Sequence, residues 1–138
     1  MTSWIYPANI KLYDVIGAFD QPETYWPRNS KVETGDVVYI YLAAPYKQIA
    51  YACDVLRTDL TGSSILEQVK PFFRMPVENA DPLKRFMQVR TTARFELGEG
   101  SPFSYKNLKE NGLSGMLMGP RKLENSPDLR IYIEGQIS

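Results

Sequence analysis

The chain has 138 residues, 43% of them apolar and 23% charged, with 16 basic residues balanced by 16 acidic ones and no histidine. That length makes one domain, 1–138, able to bury roughly 65–70% of its unfolded surface without a disulfide or metal staple. Zero net charge argues neither for nor against nucleic acid, but the lack of histidine excludes Ser-His-Asp and Cys-His catalysis and every histidine-based metal site.

Other absences narrow the field further. No run of about 18 apolar residues exists, so nothing reads as a membrane span. Met1-Thr2-Ser3-Trp4 lacks the basic and apolar regions of a secretory signal, so a cytoplasmic protein is expected. The single cysteine, Cys53, lies in an apolar strand pattern and reads as a buried, inert thiol. No glycine-rich phosphate loop of a known pattern occurs, and no acid sits in a suggestive setting. No catalytic residue, metal or cofactor is expected, and the chain does not read as an enzyme.

In chain order, Trp4-Ile5-Tyr6 reads as a first strand stopped by Pro7. Asn9 is placed to cap a helix whose Leu12, Val15, Ile16 and Phe19 recur at helical spacing. Thr24-Tyr25-Trp26 is a short extended piece before the turn-rich Pro27-Arg28-Asn29-Ser30. Gly35-Asp36 introduces the strongest strand, Val37 to Leu42, which turns at Ala44-Pro45-Tyr46-Lys47 and returns from Ile49 to Thr58. Tyr39 and Tyr41 fall on one face of it and Val38, Ile40 and Leu42 on the other, the pattern of a strand covered on both sides. Ser64 to Glu67 resembles a capping box for a short helix cut off by Pro71. Phe72 to Pro82 reads as an irregular loop. From Phe86 to Leu97 the alternation is clean, with Met87, Val89, Ala93, Phe95 and Leu97 on one face. Lys84, Arg85, Arg90 and Arg94 fall in a stretch without acids. Ser101-Pro102 starts a helix through Glu110, Met116-Leu117-Met118 reads as a last strand, and Ser126-Pro127 opens a terminal helix carrying Leu129, Tyr132 and Ile133 on one side. The sum is an α+β protein with a small, curled, mostly antiparallel sheet or barrel and short flanking helices.

Four segments in this order resemble the EVE-type branch of the PUA-like superfamily, which includes the YTH readers. They are Trp4 to Asn9 with Tyr13-Asp14, Trp26 before its polar loop, Gly35 to Tyr41, and Ile49 to Val55. The Ala44-Pro45-Tyr46 turn, Leu108 to Leu113 and Gly119-Pro120-Arg121 are similar to the EVE-like domain at the front of certain HNH restriction endonucleases. The resemblance covers about Trp4 to Ile133. It implies a reader that holds a modified base, flipped from double-stranded DNA, in an aromatic pocket, with 5-methylcytosine or 5-hydroxymethylcytosine the favoured mark. It also implies a fused or associated nuclease domain, since this chain lacks the HNH histidines, and leaves room for it to be the front of a longer chain. A pocket for a small molecule or modified nucleoside, and an RNA-binding PUA-like module, are the alternatives.

A flipped base offers two π faces and a polar edge, so its pocket needs an aromatic wall beside a hydrogen-bonding rim. Trp26 matches the position of a cage tryptophan in the YTH relatives; its other reading is plain core. Asn9 is either a base-edge contact or the helix cap, and Asn29 and Ser30 either edge contacts or turn builders. Tyr46 at the hairpin tip is a second wall or incidental, and Tyr41 is core or pocket floor. Trp4 is assigned to packing. Lys11, Arg28, Lys47, Arg121 and Lys122 are the candidate phosphate contacts. On this reading Trp26→Ala abolishes discrimination between modified and plain DNA and leaves stability almost unchanged.

Overall fold

The computed structural model of the chain describes residues 1–76 and 81–137. Six strands form one sheet: β1 (Ser3–Ala8), β2 (Glu23–Pro27), β3 (Val37–Leu42), β4 (Gln48–Thr61), β5 (Arg85–Arg94) and β6 (Arg121–Lys122). They lie in the order β2-β5-β4-β3-β1-β6. β1 and β3 run parallel, and every other neighbouring pair is antiparallel. Four helices flank the sheet: α1 (Val15–Phe19), α2 (Gly62–Val69), α3 (Tyr105–Glu110) and α4 (Pro127–Ile137). This is the α+β class and the curled, mostly antiparallel sheet that the sequence leads one to expect.

Both faces of the sheet are covered, and the alternation within β3 shows why. Val38, Ile40 and Leu42 enter one core with Val15, Ala18 and Phe19 of α1, while Tyr39 and Tyr41 enter a second with Leu108, Leu129 and Ile133 from α3 and α4. Period-two alternation sends successive side chains to opposite faces, so an unbroken apolar strand needs a lid on each. The sheet curls around the first core: Trp26 from edge strand β2 and Tyr6 from β1 meet in it, and the Asn29 backbone N–H donates to the Tyr6 hydroxyl at 2.8 Å.

Asp36 fastens the start of this arrangement. Its buried carboxylate accepts from Thr2 N at 3.0 Å, Trp4 Nε1 at 3.1 Å and Glu33 N at 2.9 Å. Burial pushes this acid up, but the three hydrogen bonds together hold it below its ordinary value of 3.8. The packing role expected of Trp4 agrees with its burial.

Several local expectations are corrected. The cap of α1 is Asp14, whose Oδ1 accepts from Gly17 N at 3.1 Å; the Asn9 side chain instead accepts from Lys11 N at 2.9 Å in a local turn. The helix is therefore shorter than its apolar stripe suggests, and Leu12 is exposed. Pro7 does not stop β1. β6 pairs only with Trp4 and Ile5, so the missing N–H of Pro7 breaks no ladder on that side. The box at α2 is formed by Thr61 with Ser64, three residues earlier than expected, and α3 is capped by Ser104 rather than starting at Ser101. Met116-Leu117-Met118 is no strand: Arg121 donates to the carbonyls of Ser114 and Met116, and the sixth strand is Arg121–Lys122 itself.

The expected face of the fifth strand is also wrong in its second half. Cys53 pairs with Thr91 but Ala52 with Ala93, so Thr92 is an extra residue in the ladder. Such a bulge inverts the alternation beyond it. Met87 and Val89 accordingly enter the first core, whereas Ala93 and Phe95 pack against the second. In the loop expected from Phe72 to Pro82, Phe72 closes a short 3-10 turn, and residues 77–80 lie outside the described residues.

Candidate ligand-binding site

Trp26 ends up beside a hollow because two segments far apart in sequence pair across it. The Tyr13 stretch runs against the Phe73 stretch: Asp14 N donates to Phe72 O at 2.6 Å and Arg74 N to Leu12 O at 3.0 Å. This short bridge sets the Tyr13 ring edge-on to Trp26, centroids 5.5 Å apart, and within 6.0 Å of both Phe72 and Phe73. Phe19 supports Trp26 from the core at 5.4 Å. On the other side α2 docks through its first turn, where Gly62 N donates to Lys84 O at 2.8 Å and Ser63 N to Pro82 O at 3.0 Å. Amides at a helix start have no partner within the helix, and here they take carbonyls of the segment leading into β5.

Between these walls lies a cavity of about 390 Å³. Its walls are chiefly Tyr13, Tyr25, Trp26, Leu66, Phe73 and Phe86, with Lys84, Asp81 and Ser63 adding the polar groups. Trp26 is only 8% exposed, so it is both a core residue and a wall. The volume falls within the roughly 300–1,000 Å³ usual for small-ligand sites.

One wall group stands out chemically. The Tyr13 hydroxyl is buried and has no hydrogen-bond partner among the described residues. Burial, with the Asp14 charge second, pushes this phenol well above its ordinary value of 10.0, so it remains a neutral donor. A buried polar group without a partner costs about 1–3 kcal/mol. The cavity has the volume and the aromatic walls to hold a flat ring. Among the described residues no cluster of three or more His, Cys, Asp or Glu could hold a metal ion, and no helix is long and apolar enough to cross a membrane.

The residues nominated from sequence fall in several places. Of the base-pocket set, only Trp26 lines the aromatic cavity. Asn9 and Lys11 lie exposed in the turn before α1. Tyr41 sits on the opposite face of the sheet, 7% exposed, where burial and then Tyr105 push its phenol up to about 12. Tyr46 and Lys47 line a separate hollow with Tyr105 and Lys106. Asn29, Ser30, Arg121 and Lys122 come together in a third place, an open cleft. Arg28 is committed to the fold, donating from Nε and Nη2 to the Val32 carbonyl at 3.0 and 2.8 Å. The walls Tyr13, Tyr25, Phe73 and Phe86 were missed. The adjacent aromatics Phe72-Phe73 between two prolines were the available signal for Phe73, since an irregular segment rarely carries such a pair unless it covers something apolar.

No family model matches this chain, and no curated protein matches it in sequence. Solved structures do match in shape. The ASCH structure from Zymomonas mobilis superimposes with a TM-score of 0.66 at 10% identity, covering 96% of this chain and 94% of that one. A protein from Pseudomonas syringae gives 0.63 at 11% identity over 97% and 98% of the two chains. A hypothetical protein from Leishmania major gives 0.61 at 18% over 99% and 97%. Such identities speak to architecture alone, and they carry none of the EVE-like or HNH-associated detail. The chain has the α+β fold seen in the ASCH structures.

Proposed function

We propose that the protein is a nucleic-acid-binding module that takes one extruded base into the aromatic cavity. The observation that carries this reading is the 390 Å³ hollow walled by Trp26, Tyr13 and Phe73. Stacking on such walls is worth about 1–3 kcal/mol per base, against a few kcal/mol for extrusion. The balance is close, so a base that is already unpaired, mispaired or modified is favoured. Apolar walls reward a methyl group by roughly 0.8 kcal/mol per buried carbon, which favours 5-methylcytosine in DNA among the marks. A hydroxymethyl group also needs a polar partner, for which Ser63 is at hand.

The test is binding of matched DNA and RNA oligonucleotides, plain and cytosine-modified, followed by tryptophan fluorescence and competition. The expected result is about a fourfold preference for the methylated strand, the worth of one buried methyl, lost in Trp26→Ala and largely kept in Trp26→Phe. Equal binding of every oligonucleotide by wild type and Trp26→Ala overturns the reading.

A second reading has its own support. The five cations nominated for phosphate do not ring the cavity, and among the described residues that line it Lys84 is the only base. That favours a free nucleoside or similar small molecule. Salt titration separates the two, because polymer binding weakens steeply between 50 and 200 mM salt and neutral-ligand binding does not.

A further inference from the structure

The open cleft that gathers Asn29, Ser30, Arg121 and Lys122 is a second feature, chemically unlike the aromatic cavity. It encloses about 610 Å³ between the loop after β2 and the segment around β6. Lys31, Arg121 and Lys122 bring three positive charges to it, and no carboxylate among the described residues lines it. Among the described residues none of these three cations is in an ion pair. The Arg121 guanidinium is held by the backbone carbonyls of Ser114 and Met116, which fix its position without neutralising it. Lys122 Nζ stands 5.6 Å over the Trp4 ring, another contact that leaves the charge unbalanced.

The neutral lining suits the same partner. Ser30, Ser114 and Ser126 bring hydroxyls and Asn29 and Asn125 bring amides. The loop that carries the first of these is held in shape from within. Asn29 donates its N–H to Tyr6 Oη and accepts from Val32 N at 3.0 Å and, through Oδ1, from Lys31 N at 3.0 Å. Its Nδ2 has no protein partner among the described residues. Fixed donors beside uncompensated cations are what anion recognition requires, because the groups are already ordered before the ligand arrives.

We propose that this cleft binds phosphate esters, and that they are the phosphates flanking the base held in the aromatic cavity. The second half rests on the function proposed above. The link between the two sites is the chain itself: Pro27 lines the cavity and Asn29 the cleft. Two residues of chain span at most roughly 7 Å. The two sites are therefore neighbours along the loop after β2, close enough for a strand whose base enters beside Trp26 to lay neighbouring phosphates over residues 29–31.

The decisive variant is Lys31→Gln/Lys122→Gln, which removes two charges and leaves the Arg121 clamp intact. Lys31→Gln alone, at an exposed loop position, guards against loss of the Lys122 contact with Trp4, and circular dichroism checks the fold of both. Wild type is expected to lose roughly tenfold more affinity for an oligonucleotide than the double variant between 50 and 200 mM salt, the share of two phosphate contacts. Lys31→Gln should recover about half of that slope. A nucleoside without phosphate should bind wild type and variants alike, whereas the same nucleoside 5′-monophosphate should bind the double variant more weakly; that arm separates free nucleotide from polymer. Inorganic pyrophosphate should shift the backbone amide resonances of Asn29, Ser30 and Lys122. Unchanged salt slopes in the double variant, with binding still dependent on Trp26, overturn the cleft and leave the cavity standing. Pyrophosphate shifts at the cleft with no effect of Trp26→Ala on any oligonucleotide would uphold the cleft and refute the cavity reading instead.

Discussion

Tyr13 combines a ring that packs against Trp26, Phe72 and Phe73 with a hydroxyl that no described residue satisfies. Removing only the oxygen separates the two roles. Tyr13→Phe keeps the ring contacts and deletes an unpaired buried group, so stability in the absence of ligand should rise by about 1 kcal/mol. Affinity for the ligand should stay within about twofold of wild type, because the ring that forms the wall is kept. Denaturant melts and a binding titration on the same variant read the two effects, and a loss of both stability and binding would show that the oxygen itself is needed at the wall. Trp26 shows the opposite coupling. With 8% exposure and aromatic neighbours at 5.4 and 5.5 Å, its truncation to alanine costs about 3 kcal/mol. The small stability effect expected from the sequence is therefore replaced by a large one, and Trp26→Phe becomes the cleaner probe. A large aromatic before a polar loop was legible in the sequence. Phe73, another wall of the cavity, was not, because 46 positions separate them and pairing between distant segments, such as the bridge between Tyr13 and Phe73, joins their neighbourhoods.

At the scale of elements, the cavity exists because α2 is held a fixed distance from the segment entering β5. Gly62 sets that distance. A Cβ built on it would lie 2.4 Å from the backbone carbonyl oxygen of Asp81, an atom that cannot rotate away. Gly62→Ala must push α2 off its docking carbonyls at Pro82 and Lys84, with a stability loss of about 1–3 kcal/mol. Because Gly62 also lines the cavity, ligand affinity should drop along with the melting temperature. An alanine variant that melts and binds like wild type would show that this approach is not what shapes the hollow. Strand β5 carries a related lesson. Its apolar periodicity was plain in the sequence, yet the extra residue at Thr92 divides its side chains between two cores. Bulges arise from pairing with the neighbouring strand, so periodicity within one strand does not reveal them.

For the whole molecule, the pattern of buried ionisable groups sets the stability profile against pH. With no histidine, no side chain has its ordinary titration between about pH 5 and 8, so stability should be flat there. Asp36 governs the acid side. Its folded pKa is depressed below 3.8, so its contribution is complete above that value and is lost as pH falls through the lower, folded one. Cys53 acts on the alkaline side. Burial pushes its thiol up from 9.0 to about 12, so its contribution is complete below 9.0 and disappears as pH rises toward 12. Urea midpoints measured across pH should trace this plateau with two falling limbs. Asp36→Asn should flatten the acid limb and Cys53→Ala should soften the alkaline one; limbs unmoved by either change would place the controlling groups elsewhere.

The amino-acid sequence by itself determined the elements and their two-sidedness. Apolar residues at period two and period 3.6, punctuated by Pro and Gly, fix local conformation, and these are short-range effects of sterics and burial. It also determined the reaction classes that are closed to a chain without histidine. Tertiary structure decided where the site lies. The cavity is made by residues 13, 26, 66, 73 and 86 from five segments, and residues 29, 30, 121 and 122 meet in the cleft only because the sheet curls. Such convergence depends on strand order and register, which are properties of pairing between distant segments and leave little trace in any one of them.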